Sequence, residues 1–119
     1  MCTSINAFAI EWVNYHNSEK ASSFLDVDSV SEAGKIKKAW TKENLKVTTT
    51  LADGKQFNQL IILDYVDCFN DTKATKAVMF YLNDEYAAQL PQINELNFEI
   101  VSPGTPGYEK LKAICEYRR

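Results

Sequence analysis

The chain has 119 residues, a formal net charge of −3 and an ordinary globular composition, 45% hydrophobic and 24% charged. That suffices for one domain, residues 1–119, with its own core, and it excludes disorder, collagen-like repeats, coiled coil and a disulfide scaffold. Apolar runs are short, as at Ala77 to Leu82, so none is long enough for a membrane helix.

Residues 7–15 alternate, with Phe8, Ile10 and Trp12 on one face, and predict a strand. The rival is a helix, since Ile5, Phe8, Ala9, Trp12 and Val13 also fit a 3.6-residue period. The polar stretch His16 to Lys20, followed by Ser23 to Val27, turns the balance toward a β-hairpin. Ser29 and Glu32 have capping-box spacing, and Val30, Ala33, Ile36 and Ala39/Trp40 make an apolar stripe. This predicts a helix ending near Thr41, with Gly34 inside it at a cost of about 1 kcal/mol.

Leu45 to Leu51 reads as a strand, and Asp53-Gly54 as a type I′ hairpin turn. The return strand runs from Gln56 through Leu60-Ile61-Ile62-Leu63 to about Val66. Asp67 to Thr75 is a polar loop and Ala77 to Leu82 a strand. Asn83-Asp84-Glu85 predicts the cap of a short helix reaching Leu90, which Pro91 stops. Leu96 to Val101 alternates as a strand, and Tyr108 to Tyr117 forms a closing helix with Leu111, Ile114 and Cys115 inward. The order ββαβββαβα predicts an α+β domain: a mainly antiparallel sheet of five or six strands with helices on one face.

Charge is segregated along the chain. Residues 34–59 carry six lysines against two acids, whereas residues 1–33 and 60–102 are acidic. The basic block, Lys35, Lys37, Lys38, Lys42, Lys46 and Lys55, suggests either a patch for an acidic partner or a solvated face. It contains no Arg, the residue that bidentate phosphate or base recognition recruits, and the only arginines are Arg118 and Arg119. With a pI near 5.1, this argues against nucleic acid as a partner. The acidic excess raises the opposite idea, a nucleic-acid mimic, for which −3 is modest.

Cys2, Cys68 and Cys115 are an odd, widely spaced set without Cys-x-x-Cys, and read as reduced thiols in a cytoplasmic protein. Met1 to Asn6 lacks the basic start of a signal peptide. The lone His16 completes neither a zinc set nor a catalytic triad. Asp64, Asp67 and Asp71 are the best candidates for a cation site, though solvated loop acids is the plainer reading. Glu11 and Glu99 are a weak candidate for paired carboxylates across the sheet. No glycine-rich phosphate loop is present. No cofactor and no metal are expected.

The hairpin followed by Asp28-Ser29-Val30-Ser31-Glu32-Ala33 and a lysine-bearing helix resembles the opening of some small phage-encoded anti-CRISPR proteins. The resemblance covers about a third of the chain and implies an accessory protein of a phage or mobile element. No motif fixes a biochemical function, and the residues lean against an enzyme. Two Trp, six Tyr and six Phe exceed what one small core needs. The expectation is a cytoplasmic, non-enzymatic binding protein, with a protein partner or a second copy (a dimer) and no membrane. Its candidate binding residues are Lys35, Lys37, Lys38, Lys42, Trp12, Tyr15 and Tyr65. The alternative is a small-molecule-binding domain with an apolar pocket, acting at most as a modest enzyme with a carboxylate base.

Overall fold

The lysine-rich segment after Ser29 is not a helix. In the computed structural model, residues 10–117 are described; they form eight strands and one α-helix. The strands are β1 (Trp12–Asn17), β2 (Ala21–Asp26), β3 (Ser31–Ala33), β4 (Ile36–Thr50), β5 (Gln56–Asp67), β6 (Thr72–Leu82), β7 (Glu85–Gln89) and β8 (Glu99–Ile100). A 3-10 turn, Val27–Ser29, joins β2 to β3, and α1 spans Pro106–Glu116. Phe8, Cys2, Arg118 and Arg119 fall outside the described residues.

All pairings are antiparallel, in the order β1-β2-β4-β5-β6-β7. The long strands β4, β5 and β6 form the centre. β2 and β3 share one side of β4, and β7 and β8 share the outer side of β6. The expected α+β layout with several helices is therefore corrected to a β-rich domain. Among the described residues it is 56% strand and 13% helical, and a single α-helix packs on the sheet.

Two predicted helices fail for local reasons. Gly34, at φ 65°, is the first central residue of the tight turn between Ala33 and Ile36, the position that a type II′ hairpin reserves for glycine. After it, Ile36, Lys38, Trp40 and Lys42 alternate with Lys37, Ala39, Thr41 and Glu43, and β4 gains partners on both sides. The strand-to-helix junction that carried the anti-CRISPR resemblance thus does not exist. Likewise Asn83 and Asp84, at φ 49° and 71°, form the two-residue turn between Leu82 and Glu85. Their short polar side chains tolerate left-handed backbone, as a type I′ turn needs. At the β4–β5 turn only Gly54 has positive φ, and the Leu51 amide donates to the Lys55 carbonyl. That is a three-residue loop in place of the expected type I′ turn.

The closing helix begins as its sequence suggests. The Thr105 Oγ1 accepts the Tyr108 amide, and Pro106 occupies the first turn. Leu111 and Ile114 are buried against Leu25, Val30, Ala39 and Val66. Each such side chain contributes about 1.5–3 kcal/mol. The Lys37 Nζ donates to the carbonyls of Cys115 (3.1 Å) and Tyr117 (3.3 Å), placing a cation at the negative end of the helix. Cys68 and Cys115 form a disulfide that ties the last turn of α1 to the end of β5. This corrects the reading of both as free thiols. Lys110 and Asp64 form a buried ion pair at 2.7 Å, supported by the Thr75 hydroxyl at 2.7 Å and by Lys73 at 3.7 Å.

Thr41 lies under the same helix with no exposure, and its Oγ1 has no hydrogen-bond partner. Replacing it with the isosteric Val removes an unsatisfied hydroxyl. The expected result is a gain of about 1 kcal/mol in urea unfolding. A loss of that size would show that the hydroxyl is bonded.

Candidate functional site

The strand period divides the sheet residues into two faces. One face meets α1 and carries Leu25, Ala39, Thr41, Asp64 and Val66. The other carries Trp12, Phe24, Lys38, Trp40, Lys42, Ile61, Leu63, Tyr65, Ala77, Met79 and Tyr81, as the register aligns them. No helix covers it among the described residues, and its aromatic side chains are half-buried, held by each other rather than by a second layer. This row on the open sheet is the candidate site.

The lysines on this face are held in place. Lys42 Nζ lies 5.2 Å from the Trp12 ring centroid and 5.9 Å from that of Phe24, and Lys38 Nζ lies 5.7 Å from that of Tyr65. Contacts of this kind contribute about 0.5–1 kcal/mol at exposed positions, enough to bias a side chain's orientation. Trp40 stands between the two lysines on β4. Beside it open two clefts. One, of about 310 Å³, is lined by Trp12, Trp40, Ile61, Met79 and Tyr81. The other, of about 330 Å³, lies between Trp40, Leu63, Met79 and the Leu90-Pro91 segment. The second is bordered by the chain after β7, which the Leu90 amide and Lys76 Nζ pin to the sheet through the carbonyls of Val78 and Ile93.

Four of the residues singled out in the sequence, Trp12, Lys38, Lys42 and Tyr65, therefore meet on one face. The other three do not. Tyr15 packs against the core on the helix side, and its hydroxyl is pushed well above the usual tyrosine range by burial and the nearby Glu43. Lys37 serves the helix end. Lys35, in the β3–β4 turn, pairs with Asp67 at 3.7 Å. Sequence reasoning missed Trp40, Phe24, Met79 and Tyr81 as members of this face. The alternations Lys38-Trp40-Lys42 and Ala77-Met79-Tyr81 were the available signal.

The catalytic and metal candidates disperse. Asp64 is consumed by Lys110. Asp67 accepts the Asn70 side-chain amide and the backbone amides of Asn70 and Phe69, which lowers its pKa and locks the β5–β6 turn. Glu11 precedes β1 at one edge of the sheet, while Glu99 lies on β8 beyond the other. Among the described residues no group of three or more His, Cys, Asp or Glu could hold a metal ion.

Comparison with known proteins agrees with this architecture. The model of the family described as surface-adhesin protein E matches residues 12–116. Crystal form II of Haemophilus influenzae protein E superposes with a TM-score of 0.63 at 12% identity, covering 90% of this chain and 95% of that one. Its selenomethionine form gives 0.60 at 11% identity, with the same coverages. Protein E from non-typeable Haemophilus influenzae gives 0.57 at 12%, covering 91% and 78%. No curated protein is matched at a significant level. The expected cytoplasmic location and the role as a phage or mobile-element accessory are overturned, because the matched family is one of surface adhesins. The Cys68–Cys115 bridge fits an oxidising compartment, not the reducing one assumed. With the match running from β1 to the last residue of α1, the chain belongs to the surface-adhesin protein E family.

Proposed function

We propose that the chain acts as a surface adhesin and that it binds a protein partner through the open face of the sheet. The observation that carries this reading is the aromatic row Trp12, Trp40, Tyr65 and Tyr81, which no second layer covers among the described residues, while α1 covers the other face. Interface cores favour aromatic residues of this kind, and a few such anchors carry most of the binding energy. The helix, disulfide and buried ion pair then serve to hold the sheet rigid. Self-association as a dimer is the second reading, favoured by the outer edge of β1, which no strand covers among the described residues.

Particles coated with the protein test the proposal on cell monolayers and immobilised extracellular-matrix proteins. The double variant Trp12→Ser/Tyr65→Ser, with its thermal unfolding checked, is expected to lower adhesion at least about tenfold. Unchanged adhesion by a folded double variant would remove the open face from the account. Sedimentation equilibrium separates the dimer reading.

A further inference from the structure

We infer that the open face recognises an acidic segment of its protein partner, in which two carboxylates flank an apolar side chain. This rests on the assignment of that face as the binding surface and adds the chemistry of what it binds.

Four other lysines are already paired with carboxylates, whereas Lys20, Lys46, Lys55 and Lys112 have no carboxylate partner among the described residues. Lys35 pairs with Asp67, Lys37 with Glu32 and the helix end, and Lys73 and Lys110 with Asp64. Lys38 and Lys42 differ. Among the described residues neither has a carboxylate within 4 Å, and both rest over aromatic rings. Asp26 lines the smaller cleft on this face and accepts the Asp28 amide, so the face sets two lysines against one carboxylate. The face is thus locally positive on a chain whose net charge is −3. Such an arrangement attracts an acidic segment at this surface and repels it elsewhere.

Geometry narrows the class. Lys38 and Lys42 are four residues apart on one strand, so their attachment points are about 13 Å apart on the same side. An extended partner segment reading acid-x-apolar-x-acid has the same spacing and places its apolar residue over Trp40. The clefts on either side of Trp40, about 310 and 330 Å³, are at the small end of ligand sites and suit single side chains.

A synthetic peptide of repeated Glu-Ser-Leu-Ser-Glu tests this on the full chain, with its Lys-for-Glu counterpart and a heparin-derived hexasaccharide as comparisons. Binding is followed by amide and indole NMR shifts and by competition against particle adhesion. The acidic peptide is expected to shift the Trp12, Trp40 and Tyr65 signals, to weaken with salt and to inhibit adhesion. Lys38→Glu/Lys42→Glu should weaken it at least about tenfold, while Lys55→Glu, on the distant β4–β5 turn, leaves it unchanged. Equal binding of the basic peptide, or no effect of the double charge reversal, overturns the inference. Tighter binding of the hexasaccharide through the same lysines overturns it in favour of an anionic glycan. If Trp12→Ser/Tyr65→Ser abolishes adhesion but the acidic peptide does not compete, the face stands and only its acidic specificity falls.

Discussion

Removing the Cys68–Cys115 bridge, by Cys115→Ala or by reduction, is expected to cost about 4 kcal/mol of stability. The two cysteines are 47 residues apart, and closing a loop of that length restricts the unfolded chain by about that amount. For a domain of this size that is a large part of a total of about 5–15 kcal/mol. The loss should be local before it is global. α1 touches the sheet through Leu111, Ile114, Lys110 and the Lys37 contacts, whereas the strands are joined to one another by their own backbone ladder. Urea unfolding with and without reductant measures the cost, and hydrogen exchange should show the amides of α1 losing protection first. A cost under about 1 kcal/mol would mean that packing alone fixes the helix.

The second large effect concerns the buried charge beneath that helix. Asp64 has no exposure and Lys110 is nearly as buried. Asp64→Leu leaves the Lys110 ammonium buried and unpaired, at an expected cost of about 3–5 kcal/mol. Lys110→Met should cost less, because Lys73 remains 3.7 Å from the carboxylate and the Thr75 hydroxyl still donates to it. The pair Asp64→Leu/Lys110→Met should recover most of the loss, since two matched apolar groups replace two desolvated charges. If the double variant instead adds the two single losses, the pair is not coupled and the helix is held by other contacts. Denaturant midpoints of the four proteins decide the matter.

Much of the sheet was legible because alternation survives tertiary context where strands are long. β5 and the closing helix lie where their patterns put them, within a few residues at each end, whereas β6 ends at Leu82 as expected but begins at Thr72, inside the stretch Asp67 to Thr75 that reads as a polar loop. The Ser29–Thr41 segment was not legible because two periods coincide there. Val30, Ala33, Ile36 and Trp40 fit a helix, while Ile36, Lys38, Trp40 and Lys42 fit a strand. The strand prevails because β4 fills the place between β2 and β5, a long-range reason that no local pattern carries. Gly34 and Asn83-Asp84 were turn signals overridden by helical stripes and caps. The disulfide was invisible, since three cysteines allow three pairings and only the fold brings the end of β5 to the end of α1. Four members of the proposed binding face, Trp12, Lys38, Lys42 and Tyr65, were visible as lysines and aromatics. Their convergence was not, because a helical assignment of residues 29–41 turns Lys38 and Trp40 to opposite sides, whereas a strand puts them on one.

The most direct test of the central claim compares the two sides of the molecule in one adhesion measurement. One variant carries Trp12→Ser/Tyr65→Ser on the open sheet face. The other carries Lys112→Glu/Glu116→Lys on the solvent side of α1, where the net charge is unchanged. Particle adhesion should fall at least about tenfold for the first and stay at the wild-type level for the second. The reverse order would place the binding surface on the helix side and contradict the account.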